Sequence, residues 1–220
     1  MKNILKLNIN SNIILNDFMD PNQWGPDTWR FLHILSFQSH ASVHDLKIFF
    51  HNIKYLLPCP TCRKNYDLHV TQVPFPESKK QIPKWLIQIH NRVNDSVQKP
   101  IYEEERMYDY WKEQSKHITS SKDLGIWTFM ACCVHIHPGI HKITLDIQQA
   151  HEYFWEHLDF WLPKILKDRS SILTYLSKHP ISTVNIKYVY KKAFFSLMKQ
   201  IHFQGIFTNL KRRCNGYCQT

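Results

Sequence analysis

Hydrophobic positions along most of this chain recur at the three- and four-residue spacing of an amphipathic α-helix. Five helices are predicted in its first half. The first begins at a cap on Asp27 or Thr28, and the second covers about 44–57. The third runs from Cys59–Cys62 towards His69. The fourth extends from Pro83 to before Pro100, and the fifth covers about 102–116. No alternating strand longer than four residues is found. We therefore predict an all-α protein.

The second half of the chain repeats features of the first. WRFLH at 29–33 has a counterpart in WTFMA at 127–131, and FFHNIKYLLP at 49–58 has one in FWEHLDFWLP at 154–163. We interpret this as a faint internal duplication, with shared helical composition as the alternative. The predicted organisation is a tail over 1–20, a first helical domain over 21–118, a second over 119–211 and a cysteine-containing tail over 212–220.

Composition narrows the class of protein. An apolar fraction of 43% excludes a disordered chain, and 5 Gly against 13 Phe and 7 Trp disfavour a turn-rich β-sandwich. The net charge of +10 lies mostly in the second half. Such a basic surface permits an acidic partner, but it is more commonly a solvent-exposed face without one, and we do not expect nucleic acid to bind. No apolar run reaches the roughly 18–20 residues of a membrane span, and no signal peptide is predicted, so we expect neither membrane insertion nor secretion.

The six cysteines fall in close pairs, of which Cys59-Pro60-Thr61-Cys62 stands where a helix is predicted to begin. Backbone amides at a helix start are unpaired and stabilise a thiolate. The spacing fits half of a zinc site, a thioredoxin-type centre or a structural disulfide. A thioredoxin fold is excluded because no βαβ pattern surrounds the motif, and zinc would need further ligands from His33, His69 and His90.

Three motifs occur in a fixed order around this pair. They are Gly25-x-x-Thr28-Trp29-x-x-Leu32-His33, then Leu57-Pro58-Cys59-x-x-Cys62, then His90-Asn91-x-Val93-Asn94 with Lys99-Pro100. Over roughly residues 21–116, the chain resembles the Erv/ALR family of FAD-linked sulfhydryl oxidases. The resemblance implies a four-helix bundle with a short fifth helix, which holds FAD without a covalent bond.

The resemblance also implies roles for individual residues. Cys62 would be the sulfur next to the flavin, and Cys59 would exchange with the thiols of protein substrates such as thioredoxin-like or virion proteins. Electrons would pass through the flavin to O₂, giving H₂O₂. The residues that would bind FAD are Gly25, Thr28, Trp29, His33, Tyr66, His90, Asn91, Val93, Asn94 and Lys99. No metal is implied.

Two departures from the family pattern are visible. Gln38-Ser39-His40 replaces the usual Tyr-Pro, and no cysteine follows the His90–Asn94 motif until Cys132, which resembles the compact viral members. We therefore expect a large DNA virus as the source, with the host cytoplasm or the virion as the location. The mitochondrial intermembrane space is the alternative.

The second half lacks the predicted chemistry. Lys164 and Lys167 stand opposite Cys59 and Cys62, which predicts a non-catalytic copy that packs on the first half like a second subunit. We therefore expect the first half to pack either on this internal copy, as a pseudo-dimer within one chain, or on a second chain in a homodimer. Cys214 and Cys218, in the predicted tail, would relay electrons to Cys59, form a structural disulfide or remain free thiols. Two other functions compete with the oxidase function: a zinc-binding interaction module, which would use Cys59, Cys62 and histidines and bind nucleic acid through its basic second half, and a redox-inactive scaffold of the same fold.

Overall fold

The computed structural model describes residues 21–136, 144–180, 192 and 194–198, and all regular elements within these ranges are helical. The α-helices are α1 Pro21–Gln38, α2 Val43–Leu56, α3 Pro60–Gln72, α4 Ile82–Ser96, α5 Glu104–His117, α6 Ser121–Leu124, α7 Ile126–Ile136, α8 Leu145–Glu156, α9 Leu158–Trp161 and α10 Arg169–Lys178. A 3₁₀ turn, Lys79–Gln81, precedes α4. The prediction of an all-α fold is confirmed, although the fifth helix, expected to be short, has 14 residues, as many as α2.

The first helix begins seven residues earlier than a cap at Asp27 would place it, and eight earlier than a cap at Thr28, so that prediction is wrong. The helix starts at Pro21 and continues through Gly25-Pro26. A residue before proline is normally kept out of the α conformation by a clash of its Cβ with the proline ring, and Gly25 has no Cβ. Asp27 instead accepts a hydrogen bond from the Thr128 hydroxyl at 2.6 Å.

Local sequence explains why α2 and α3 begin where they do. Ser42 caps α2 in a reciprocal capping box, in which its hydroxyl accepts from the Asp45 amide at 3.1 Å. Cys59 is the N-cap of α3, and Pro60 occupies the first helical position, where its missing N–H costs nothing. The cysteine pair therefore lies at a helix start, as the sequence predicts.

One hydrophobic core extends through both halves of the chain. Helix α1 packs against α7, and α2 packs against α8. The rings of Phe31 and Phe129 lie 5.2 Å apart, and Phe49 stacks on Trp161 at 4.4 Å. At Gly125 the backbone is left-handed, with φ of 82°, and lies so close to the Asp27 carbonyl that a Cβ would overlap it. The second half is thus closely packed on the outer face of α1 and α2.

Several sequence predictions lie outside the described residues. They concern the tail over 1–20, the weaker repeat at Ile201-His202, and the cysteine pair Cys214 and Cys218. In the part of the chain that the structure does describe, no helix has both the length and the apolar character needed to cross a membrane.

Candidate active site

A cavity of about 720 Å³ lies between α1, α3, α4 and α5 and is bordered by the segment 97–102 that joins the last two. Its volume falls within the roughly 300–1,000 Å³ of sites that enclose a small molecule or cofactor. Aromatic side chains make up much of the wall, among them Trp24, Trp29, Tyr66 and Trp111. The cavity can therefore accept a large, flat and partly apolar ligand.

The predicted cysteine pair connects this cavity with the surface. Cys59 and Cys62 form a disulfide across one turn at the start of α3, with Cα atoms 5.1 Å apart. Cys62 lines the cavity, whereas Cys59 is outside its wall, and both are partly exposed. The turn is held by Arg63, whose Nε donates to the Leu57 carbonyl at 2.7 Å. One sulfur thus faces a bound ligand and the other is open to a reactant from solution.

Most residues predicted to bind the cofactor line the cavity. They are Gly25, Thr28, Trp29, Tyr66, His90, Val93, Asn94 and Lys99. The other two predicted residues do not line it. His33 is fully buried and is hydrogen-bonded to His90, and the Asn91 side chain is hydrogen-bonded to the backbone of Tyr102. Both therefore contact the elements of the wall rather than form it.

Four aromatic rings form a continuous stack beside the cavity. Trp29 stacks on His90 with centroids 3.9 Å apart and planes 7° from parallel. His90 Nδ1 and His33 Nε2 are hydrogen-bonded at 2.9 Å, and His33 stacks on Trp111 at 4.7 Å. The stack links α1, α4 and α5 through rings whose planes are fixed by their neighbours.

Both histidines in this stack are held neutral. Burial, together with His90, lowers the pKa of His33 well below its ordinary value. Burial, followed by the charge of Lys99, lowers the pKa of His90 to about 4. Each imidazole therefore carries a single proton at neutral pH.

Among the described residues, three buried polar atoms on the cavity wall have no hydrogen-bond partner. They are the indole nitrogens of Trp24 and Trp111 and the hydroxyl oxygen of Thr28. An unsatisfied buried polar group costs about 1–3 kcal/mol, so such groups indicate a missing partner. A ligand with hydrogen-bonding groups along an aromatic body would satisfy them.

Gly25 supplies room in the same wall. It is buried and lines the cavity, yet a Cβ built on it would meet no atom within 4 Å. The space beside Gly25 is therefore part of the cavity rather than packed core. A side chain at this position would occupy ligand volume.

The two asparagines of the His90–Asn94 motif shape the segment 97–102. The Asn91 side chain accepts from the Tyr102 amide at 3.1 Å and donates to the Tyr102 carbonyl at 2.8 Å. Asn94 donates to the Pro100 carbonyl at 3.3 Å, and its own carbonyl accepts from the Lys99 amide at 2.8 Å. These bonds hold Lys99 at the cavity wall, where its Nζ donates to Asn22 at 2.9 Å.

The zinc interpretation finds no support in the described part of the chain. There, no three His, Cys, Asp or Glu side chains come together in a way that could hold a metal ion. Cys59 and Cys62 are bonded to each other, and His33 and His90 to each other. The predicted ligands of a zinc site therefore belong to separate groups.

Sequence reasoning did not identify several residues of the wall. Trp24, Arg106, Tyr110 and Trp111 line the cavity, three of them on α5. Trp24 is adjacent to a motif glycine, and Trp111 is the buried aromatic residue of a helix that is mostly polar. Those signals become informative only when the cavity is known.

Comparison with known proteins finds a family that is similar to this part of the chain. Residues 26–115, which include the disulfide, the histidine pair and most of α5, match the model of the Erv1 / Alr family. Over these residues the chain is similar to that family. No solved structure matches the chain.

Three curated relatives are similar to part of this chain. The probable FAD-linked sulfhydryl oxidase R368 of Acanthamoeba polyphaga mimivirus is 36% identical over 85 residues, which are 34% of this chain and 59% of the relative. The mitochondrial FAD-linked sulfhydryl oxidase ERV1 of Saccharomyces cerevisiae is 28% identical over 104 residues, 43% of this chain and 55% of the relative. The Schizosaccharomyces pombe protein erv1, also named a mitochondrial FAD-linked sulfhydryl oxidase, is 24% identical over 91 residues, which are 38% of this chain and 50% of the relative. The chain thus spans between 50% and 59% of these relatives.

Proposed function

We propose that the chain is an FAD-linked thiol oxidase, which forms disulfides in protein substrates and passes the electrons through Cys59 and Cys62 and a flavin to O₂, giving H₂O₂. The observation that carries this proposal is the position of the disulfide, with Cys62 in the cavity wall and Cys59 outside it. The names of three relatives of the same segment, all FAD-linked sulfhydryl oxidases, support it.

The residues of the cavity suit a flavin dinucleotide. Trp29, Tyr66 and Trp111 offer flat apolar surfaces for aromatic rings, and the unpartnered polar atoms of Trp24 and Thr28 offer hydrogen bonds. Two cationic side chains, Lys99 and Arg106, border the cavity and would attract a diphosphate. When bound, FAD accepts an electron pair from a dithiol and can release the electrons to O₂.

Thiol exchange would begin at Cys59, which is partly exposed outside the cavity. A substrate thiolate attacks Sγ of Cys59, so that a mixed disulfide forms and Cys62 leaves as a thiolate. A second substrate thiolate attacks the substrate sulfur of that mixed disulfide, and Cys59 leaves as a thiolate. The substrate is then oxidised to a disulfide, and the Cys59–Cys62 pair has gained two electrons at the cavity wall.

Purified protein tests this function directly. It should be yellow, its flavin absorbance should bleach on anaerobic addition of dithiothreitol, and air should restore the colour with release of H₂O₂. A colourless protein that carries zinc would favour the interaction module. A yellow protein that thiols cannot reduce would favour the redox-inactive scaffold.

The substrates and location follow from the same proposal. Because Cys59 is accessible beside a helix start, we infer that protein thiols, including thioredoxin-like or virion proteins, are oxidised there. The mimivirus relative supports a viral source, with host cytoplasm or virion as the location, while the two yeast relatives are named as mitochondrial. Oxidation of a tagged substrate in infected-cell fractions would separate these locations.

We further propose that the second half is an internal, non-catalytic copy that takes the place of a second subunit. In a two-fold interface, each contact between two different residues occurs twice, and residues next to the axis contact their own counterparts. The proposed counterparts Phe31 and Phe129 lie 5.2 Å apart, and the counterparts Phe49 and Phe154 lie 6.3 Å apart. The edge-on pair Phe31–Phe49 is matched by Phe129–Phe154, which supports a pseudo-two-fold axis.

This arrangement predicts the mass of one chain in solution. The outer face of α1 and α2 is covered by α7 and α8 and is closed to another chain. Light scattering should therefore give 26.5 kDa. A dimer that dissociates on substitution at this face would contradict the internal copy.

A further inference from the structure

The buried His33 side chain has a relationship to the cavity that the motif alone does not reveal. It is fully buried, does not line the cavity and contacts it through His90. His33 Nε2 and His90 Nδ1 share one hydrogen bond at 2.9 Å, and both rings are neutral. One of the two nitrogens must therefore carry the proton and the other must accept it.

The second nitrogen of His33 decides which arrangement is favoured. His33 Nδ1 is buried, and in the part of the chain that the structure describes it has no hydrogen-bond partner. If His90 donated, the single proton of His33 would lie on Nδ1, as a buried N–H without an acceptor. If His33 donates from Nε2, only a lone pair is left without a partner, and orphaned buried N–H groups are the rarer kind.

The consequence for His90 follows from its single proton. With Nδ1 accepting from His33, the proton of His90 is on Nε2. Among the described residues no group is hydrogen-bonded to His90 Nε2, and His90 lines the cavity. The ring cannot turn freely, because it is stacked on Trp29 with planes 7° apart.

We propose that His33 is a positioning residue, whose hydrogen bond fixes the tautomer of His90 so that Nε2–H serves as a donor to an acceptor on the bound flavin dinucleotide. The link to flavin rests on the proposed function, whereas the tautomer does not. His33 would thereby favour ligand groups that accept a hydrogen bond at this point of the wall. Its role would be indirect, since its side chain does not line the cavity.

The tautomer can be measured by ¹⁵N NMR of the full-length, flavin-free protein with labelled histidine. We expect His33 and His90 both to carry their proton on Nε2, with a coupling across the hydrogen bond from His33 Nε2 to His90 Nδ1. A proton on His90 Nδ1 would overturn the proposal. This measurement stands even if the protein binds no flavin.

Two variants then test the effect on ligand binding by titrating the flavin-free protein with FAD. His33→Gln keeps a donor and should bind FAD within about threefold of wild type, while His33→Met should bind about tenfold more weakly, since one hydrogen bond is worth about 1 kcal/mol. Equal affinities for the two variants would refute the positioning role. If His33→Met does not fold, the NMR result on the wild type still decides between the tautomers.

Discussion

The amide of Cys62 donates a hydrogen bond to Sγ of Cys59 across 3.2 Å, at the first turn of α3. The same amide, together with the positive end of the helix, would stabilise negative charge on that sulfur after the disulfide is opened. Cys59 is therefore suited to carry the thiolate in the reduced protein. Its partial exposure makes that thiolate available to reactants in solution.

The first prediction concerns the Cys62→Ser variant, in which Cys59 becomes a free thiol at the helix start. We expect Cys59 to be alkylated by iodoacetamide at pH 6 at least tenfold faster than a free cysteine, because the helix end stabilises the thiolate. Peroxide formation with dithiothreitol should be lost in both Cys62→Ser and Cys59→Ser, while bound flavin remains. Mass spectrometry of the alkylated peptide and an oxygen electrode measure the two effects.

The chain contains its own control for this experiment. Cys132 and Cys133 are free but buried, and burial raises the pKa of both thiols. They should remain unmodified in the folded protein and react only after unfolding. Full turnover by either serine variant, or equal labelling of Cys59 and Cys132, would contradict the assigned roles.

The second prediction uses the space beside Gly25. Gly25→Leu should weaken FAD binding at least tenfold, because its side chain would extend into the cavity where a Cβ now meets nothing. Gly25→Ala is the matched control, since both variants place a Cβ before Pro26 and share any backbone strain there. Fluorescence titration with FAD measures both affinities, and equal loss in the two variants would show that the volume beside Gly25 is not used.

The third prediction concerns the contact between the two halves. Gly125→Ala should lower the free energy of unfolding by about 1–3 kcal/mol, because φ of 82° strains a residue with a Cβ and that Cβ would overlap the Asp27 backbone. Urea unfolding followed by tryptophan fluorescence measures the change. The wild type should unfold in one transition, since the core is shared. Separate transitions for the two halves would contradict this packing.

Residue patterns predicted much of this structure because they depend on local physics. The spacing of the apolar residues, together with Pro58, Pro83 and Pro100, was enough to locate α2 to α5. The position of the motif directly after Pro58 also predicted that Cys59 lies at a helix start. The start of α1 was missed because Gly25-Pro26 was not recognised as a pair that a helix can pass through. Helical periodicity shows which face of a helix is apolar, but it does not show that a helix can continue through a Gly-Pro pair.

The predicted site residues divide according to what a motif can reveal. A motif identifies which residues cluster, but His33 and Asn91 show that it does not say whether a side chain lines the cavity or holds a neighbour in place. Trp111 shows the reverse, since it reaches the wall from α5, outside every motif. These assignments depend on tertiary packing, which no local spacing encodes.

The fourth prediction is a loss of stability in mild acid. The pKa of His90 is lowered to about 4 and that of His33 well below its ordinary value, chiefly by burial, and burial also lowers the pKa of His69. Since these groups bind protons in the unfolded chain near pH 6.5 but not in the folded one, the stability is complete above that pH and falls towards pH 4. His90 alone accounts for about 3 kcal/mol across this window. Urea unfolding at pH 7, 6 and 5 should therefore show a steadily decreasing free energy.

Substitution separates the histidines from the carboxylates, which titrate at lower pH. His69 is buried, and within the described residues neither of its ring nitrogens is hydrogen-bonded, so His69→Leu removes a titrating group without breaking a described hydrogen bond. The decrease in stability between pH 7 and pH 5 should be smaller in His69→Leu than in wild type. An unfolding free energy that is constant over this range, or identical slopes for the two proteins, would show that the buried imidazoles accept protons as readily in the folded state as in the unfolded chain.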